Sequence, residues 1–178
     1  MKNVIIVIDE AYIDFSEADS WLNEVNNFNN LIVTQTLSKA YGMAGLRLGI
    51  CYAQTEIIDV LKKIKMPYNV NVLSQIKAIN ELKNVENLKQ QLNQIAKSKE
   101  LLKNELKYIA FVEKIYPSDT NFLMVKVDDA NKRYKQLIQN QIVVRNRTNE
   151  PLCENCLRFT IGTVSENEKL INALKKLN

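Results

Sequence analysis

A lysine set among hydroxyls and glycines, with an arginine just beyond it, is the stretch of this sequence best equipped for chemistry. It runs Thr34-Gln35-Thr36-Leu37-Ser38-Lys39-Ala40-Tyr41-Gly42-Met43-Ala44-Gly45-Leu46-Arg47-Leu48-Gly49 and holds three of the chain's 4 glycines. Glycine lets a backbone turn sharply or approach a ligand closely. Lysine is the side chain that condenses with an aldehyde to form a Schiff base. The simplest chemical reading is therefore a cofactor lysine with a phosphate or carboxylate clamp beside it. The sequence contains no histidine, so proton transfer near neutral pH falls to lysine, tyrosine, a carboxylate or a cofactor.

The elements around this stretch determine whether it can work as a site. Val4-Ile5-Ile6-Val7-Ile8 is a continuous apolar, β-branched run, the pattern of a strand buried on both faces of a parallel sheet. Asp9 and Glu10 follow at its carboxyl end, and Tyr12 comes shortly after. Leu31–Thr36 reads as a second strand that delivers Ser38 and Lys39. Ligands of open α/β sheets bind at the carboxyl ends of the strands. If these two strands are parallel neighbours, Asp9 and Lys39 emerge on the same edge. A cofactor with a protonated ring nitrogen, a phenolate, an aldehyde and a phosphate would use all of these groups. Asp9 would hold the ring nitrogen protonated, Tyr12 would bond the phenolate, and Lys39 would take the aldehyde. Ser38 and Arg47 would take the phosphate. That cofactor is pyridoxal 5'-phosphate. Taken singly, Asp9 also fits a strand-end cap, Tyr12 packing, Lys39 a surface charge and Arg47 an ion pair; their order and context favour the site.

Composition sets the outer bounds. The 178 residues are 46% apolar and 25% charged, enough for a real core in one domain or one and a half. The net charge of +4 is spread along amphipathic stretches, which argues against a nucleic-acid module. No run reaches the roughly 18 apolar residues of a membrane span. Lys2-Asn3 followed by Val4–Ile8 is too short for a signal segment. The expectation is a soluble, cytoplasmic protein with no membrane or nucleic-acid partner. Cys51 reads as a small buried residue in a strand. Cys153 and Cys156 form a lone CxxC after Glu150-Pro151; a zinc site needs about four ligands, so no metal is expected and the pair reads as loop thiols.

The remaining pattern alternates helix and strand. Residues 16–30 are polar and Asn-rich, a loop or short helix anchored by Trp21-Leu22, and Leu48–Ala53 is a third strand. Thr55 is placed to cap a helix over Glu56–Lys65, with Ile57, Ile58, Leu61 and Ile64 on one face. Met66-Pro67-Tyr68-Asn69 ends it. Apolar residues then recur near helical spacing from Val72 to Ile109, with Asn84 as an interruption and cap. Their spacing drifts and holds no heptad, so they pack on a core rather than form a zipper. After Tyr116-Pro117-Ser118-Asp119 come a strand over Asn121–Val127, a helix over Ala130–Asn140, and strands over Gln141–Arg145 and Leu157–Gly162. Ser165-Glu166-Asn167-Glu168 reads as a capping box for a last helix with Leu170, Ile171, Leu174 and Leu177 inward. The expected organisation is a first domain over residues 1–66, a helical connector over 67–96 and a small α+β domain over 97–178. Opening on a central-looking strand, the chain is expected to be part of a larger fold.

Two motifs carry a family resemblance. Val7-Ile8-Asp9-Glu10-Ala11-Tyr12-Ile13-Asp14-Phe15 and Thr36 to Gly49 resemble the fold-type I aminotransferases, and among them the histidinol-phosphate aminotransferase family. Pro67-Tyr68-Asn69-Val70-Asn71, Ser118-Asp119-Thr120-Asn121-Phe122, Val144-Arg145 and Leu157-Arg158-Phe159-Thr160-Ile161-Gly162-Thr163 extend it from Asn3 to Asn178. The resemblance implies an α/β fold: part of a pyridoxal-phosphate-dependent large domain with a mainly parallel sheet, plus a smaller α+β C-terminal domain. Lys39 is similar to the Schiff-base lysine, Asp9 to the ring-nitrogen partner, Tyr12 to the phenolate ligand, and Ser38, Arg47 and Thr36 to phosphate ligands. Arg158 resembles the clamp on the amino acid carboxylate, where a lysine would not substitute. Arg145 resembles the arginine facing the substrate phosphate. The implied reaction moves an amino group between glutamate and imidazole-acetol phosphate in histidine biosynthesis, with 2-oxoglutarate as the keto partner and a homodimer as the assembly. Family members are about twice this long, as befits a large single-cofactor enzyme. The chain is thus expected to match their C-terminal half, with the other half encoded separately or lost. Other fold-type I enzymes, a threonine-phosphate decarboxylase-like activity and a non-catalytic remnant are the alternatives.

Overall fold

The apolar run near the N-terminus forms a strand, but a shorter one displaced toward Asp9. In the computed structural model, which describes residues 4–178 and so leaves Lys2-Asn3 outside the described residues, β1 spans Ile6–Asp9. The chain divides into two compact units, Met1–Gln90 and Gln91–Asn178.

In the first unit β1 pairs in parallel with β2 (Leu31–Thr36), and Asp9 stands opposite Thr34. β3 (Gly49–Ala53) runs antiparallel to β2, with Thr36 opposite Gly49, giving the order β1-β2-β3. The sheet is therefore mixed where a mainly parallel one was expected. β3 returns directly through the glycine-containing loop, a connection too short for a parallel crossover. As an edge strand, β1 is not buried on both faces: Val7 is 58% exposed. Period-2 alternation decides which strand residues are covered. Val25, Leu31 and Val33 form one small core with Leu22, Ile8 and Tyr52 around it. Cys51 takes the other face from Tyr52 and is exposed, contrary to the buried residue expected. Trp21 is also 48% exposed, so Leu22 and Val25 anchor the 3-10 helix Trp21–Asn27 in its place. A second small core joins Leu37, Met43 and Ala78.

The helix α1 begins one residue earlier than expected. It spans Thr55–Ile64, so Thr55 lies inside it, and its N-cap residue Gln54 makes no side-chain cap bond. The Gln54 amide instead donates to the Val25 carbonyl at 2.9 Å. No residue of α1 is fully buried: Ile57, Ile58 and Leu61 are only partly covered, while Val60 and Ile64 are exposed. After the Pro67 break, α2 (Val72–Leu82) starts at a genuine cap: Asn71 Oδ1 accepts from the Ser74 N–H at 2.9 Å.

The second unit is an antiparallel sheet covered on one face by helices. Its strands are β4 (Val112–Ile115), β5 (Phe122–Val127), β6 (Arg145–Asn146) and β7 (Cys156–Thr160), in the order β4-β5-β7-β6. Leu123, Val125, Val127, Leu157 and Phe159 alternate inward and pack against buried residues of α3 (Val85–Leu106), α4 (Ala130–Gln139) and α5 (Val164–Lys176). β4 escapes sequence reading because its four residues come shortly after α3, separated from it only by a turn over 107–111. The strand expected over 141–145 shrinks to Arg145–Asn146, since Gln141 adopts a left-handed φ of 61° and is spent on ending α4. The expected capping box moves two residues upstream. Thr163 Oγ1 accepts from the Glu166 N–H at 3.3 Å while Glu166 Oε2 accepts from the Thr163 N–H at 2.7 Å. Cys153 stays in the loop, but Cys156 is buried at the start of β7. Among the described residues, no helix is long and apolar enough to cross a membrane.

Candidate active site

The parallel pairing of β1 and β2 brings their carboxyl ends to one edge of the first unit's sheet. Asp9, exposed, ends β1, and its Oδ1 accepts from the Ala11 N–H at 2.9 Å, which fixes the turn toward Tyr12. Tyr12 precedes the 3-10 turn Ile13–Phe15 and lies 6.2 Å from the Phe15 ring. From the neighbouring strand, Lys39 places its exposed Nζ 5.2 Å from the centre of the Tyr12 ring. A cation over an aromatic face is attracted by the ring quadrupole. Asp9, Tyr12 and Lys39 therefore share the edge that their spacing predicted.

The loop between β2 and β3 is built by short-range bonds. Thr36 Oγ1 accepts from the Ser38 N–H at 3.1 Å and donates to the Leu48 carbonyl at 3.4 Å. The Gly42 N–H returns to the Lys39 carbonyl at 3.0 Å, with Gly42 at a φ of 64° that favours glycine. The Met43 N–H bonds the Leu37 carbonyl at 2.9 Å, so the lysine is presented on a closed loop. Arg47 ends the 3-10 turn Ala44–Leu46 at a φ of 54°, and its Nη1 donates to the Ala44 carbonyl at 3.2 Å. The structure thus joins Thr36 to Ser38 directly, while the Arg47 guanidinium is engaged with its own turn.

Glu10 has a role that the sequence did not disclose. It is 6% exposed and gathers three donors: the Ser20 hydroxyl at 2.6 Å, the Trp21 N–H at 2.6 Å and the Gln35 amide at 2.9 Å. Burial pushes its carboxyl upward, but the Ser20, Gln35 and Trp21 donors outweigh this and hold it below the ordinary value. It ties the end of β1 to β2 and to the Trp21–Asn27 helix, and so holds the residues beside it, Asp9 and the Lys39 loop, in register. The available signal was a second acid directly after Asp9, on the opposite side of the strand. Asp14 and Tyr41 are both raised, each chiefly by burial; the Glu10 charge adds to the first and the Asp14 charge to the second.

The two arginines singled out in the second unit are directly paired. Arg145 on β6 faces Arg158 on β7 across the antiparallel ladder. Like charges so placed destabilise a sheet unless an anion lies between them. The Arg158 guanidinium stacks 4.9 Å from the centre of the Phe122 ring, and its Nε is buried without a hydrogen-bond partner among the described residues. A buried donor without an acceptor is costly and invites a ligand oxygen. Arg145 remains exposed.

The sequence model of aminotransferase class I and II matches residues 1–174. The chain belongs to this family. A histidinol-phosphate aminotransferase of Flavobacterium johnsoniae is 59% identical over 174 residues, covering 98% of this chain and 50% of that protein. The histidinol-phosphate aminotransferase structure of Clostridium acetobutylicum superposes with a TM-score of 0.91 at 29% identity, over 97% of this chain and 54% of that one. That of Sinorhizobium meliloti, solved in complex with pyridoxal-5'-phosphate, gives 0.86 at 24% identity, over 98% of this chain and 50% of that one, and speaks to the fold. The chain spans about half the length of the curated relatives it matches.

Proposed function

We propose that this chain carries the lysine-bearing half of a histidinol-phosphate aminotransferase, and that it acts with a polypeptide supplying the other half of the fold. The observation that carries this reading is the meeting of Asp9, Tyr12 and Lys39 at the carboxyl edge of the parallel β1–β2 pair. The 59% identity to the Flavobacterium johnsoniae enzyme supports the substrate assignment. In this reading the first unit is part of a cofactor-binding domain and the second is the small domain. In the same reading the complete enzyme is a cytoplasmic homodimer that moves an amino group between glutamate and imidazole-acetol phosphate, with 2-oxoglutarate as the keto partner of glutamate.

The residues present fit pyridoxal 5'-phosphate, which when bound supplies the electron sink for moving an amino group between amino acid and keto acid. The exposed Lys39 amine would hold the cofactor at its aldehyde and would serve as the base that moves a proton at the substrate. Asp9 would keep the ring nitrogen protonated and Tyr12 would donate to the ring oxygen. Thr36, Ser38 and Arg47 would hold the phosphate. Arg158, with its unsatisfied Nε, would clamp the substrate carboxylate, and Arg145 beside it would face the substrate phosphate.

The test has two steps. The chain is titrated with pyridoxal 5'-phosphate, and a visible absorption band lost in Lys39→Ala is the expected result. The chain is then combined with the complementary half of a relative and assayed for glutamate-dependent amination of imidazole-acetol phosphate. A reconstituted protein that binds cofactor at Lys39 but aminates only other keto acids would overturn the substrate assignment.

A further inference from the structure

The second unit contains a thiol pair that the aminotransferase reading does not use. Cys153 is half-buried in the loop before β7, and Cys156 is buried as the first residue of that strand. The Cys156 N–H donates to the Cys153 carbonyl at 3.0 Å, and Asn155 between them takes a left-handed φ of 58°. A turn closed in this way keeps its first and last Cα atoms within about 7 Å. Disulfides span Cα separations of about 4.4–6.8 Å, so the turn has the right width. Cys156 Sγ leans back over the turn and donates to the Glu154 carbonyl at 3.7 Å. Burial pushes the Cys156 thiol up, and the neighbouring Cys153 pushes it further.

The backbone holds this arrangement without help from a bond between the sulfurs. The Asn155 carbonyl accepts from the Val127 N–H at 2.9 Å, and its Oδ1 accepts from the Ala130 N–H at 3.3 Å. The Cys156 carbonyl accepts from the Arg147 N–H at 2.9 Å. β5, α4 and the chain leaving β6 thus fix the turn that carries both cysteines. Preorganisation of this kind lowers the entropy lost on closing a small loop.

We propose that Cys153 and Cys156 form a reversible dithiol–disulfide site, oxidised by a peroxide or by a small-molecule disulfide. With hydrogen peroxide, the more accessible Cys153 thiolate attacks one oxygen, breaks the O–O bond and releases hydroxide, becoming a sulfenic acid. The Cys156 thiolate attacks that sulfur and displaces the second hydroxide as the S–S bond forms. Two thiols and one peroxide give one disulfide and two waters. With glutathione disulfide, the Cys153 thiolate breaks its S–S bond and releases one glutathione, and Cys156 then displaces the second; a dithiol reductant reverses the change by the same exchange. The bond would brace the start of β7, the strand that carries Arg158.

The chain itself provides the assay, because trypsin releases both cysteines in the single peptide from Thr148 to Arg158, apart from Cys51. The chain is equilibrated in glutathione buffers from fully reduced to fully oxidised, quenched in acid, alkylated under unfolding conditions and digested. The expected result is joint loss of both alkyl groups from this peptide, with its mass lower by two hydrogens, restored by dithiothreitol. Cys153→Ser should leave Cys156 alkylated or carrying one glutathione. The proposal fails if both cysteines stay alkylated in the most oxidised buffer. It fails equally if Cys153 accumulates a glutathione adduct while Cys156 remains alkylated.

Discussion

The two units of this chain use the same alternation of apolar residues to very different effect. In the second, buried residues of α3, β5, α4, β7 and α5 merge into one continuous core that includes Phe159, Leu157, Leu137 and Leu174. In the first, burial is split between two small clusters, while Val7 on β1 and Leu73 on α2 remain 58% and 79% exposed. Apolar surface of this kind marks an interaction face or an aggregation liability. Asp9, Tyr12 and Lys39 thus lie on the unit that covers itself least, while Arg145 and Arg158 lie on the unit with the continuous core.

That contrast can be broken by mutation. The largest effect is expected in the continuous core: Phe159→Ala should cost about 3–5 kcal/mol, read as a fall in the urea midpoint. A loss under about 1 kcal/mol would mean that this core is looser than its burial implies. In the first unit the heaviest penalty should come from a polar group. Glu10→Ala strands three donors and should cost about 2–3 kcal/mol. Its contribution also has a defined pH dependence. The folded carboxyl titrates below its ordinary value of 4.5, so the stabilisation is complete above that value and is lost as pH falls through the depressed one. The difference between wild type and Glu10→Ala should therefore narrow in acid; a gap independent of pH would argue against a charged Glu10.

Smaller effects sharpen the same comparison. Thr163→Ala removes the hydroxyl half of the α5 capping box, leaving the bond from its own N–H to Glu166, and should cost about 1 kcal/mol, measurable by thermal unfolding. Leu73→Ser on the exposed face of α2 should change stability by no more than about 0.5 kcal/mol. Its expected signature is weaker self-association in sedimentation velocity. A large destabilisation would show that this face is covered after all.

Much of the site was legible in the residues. A strand ending in Asp9, a second delivering Ser38 and Lys39, and a glycine turn before Arg47 were readable because strand periodicity and turn chemistry are local. The last helix was readable for the same reason, although its cap was misplaced: Ser165 and Thr163 both fit a capping pattern, and only the helix start distinguishes them. What escaped depended on partners distant in sequence. Cys51 and Trp21 look like core residues by type, but burial depends on which face another element covers. Glu10 meets Ser20, Trp21 and Gln35 only once β1 and β2 are side by side.

The sequence by itself determined the chemical types present, their order along the chain and the turns that expose them. These follow from side-chain identity and short-range backbone preference. The tertiary structure decided which of them meet. It set Asp9 and Lys39 on one edge through parallel register, opposed Arg145 to Arg158 across an antiparallel ladder, and closed the turn that pairs Cys153 with Cys156. Each of those outcomes rests on hydrogen bonds between strands or across loops, and their geometry is fixed only when the chain has folded.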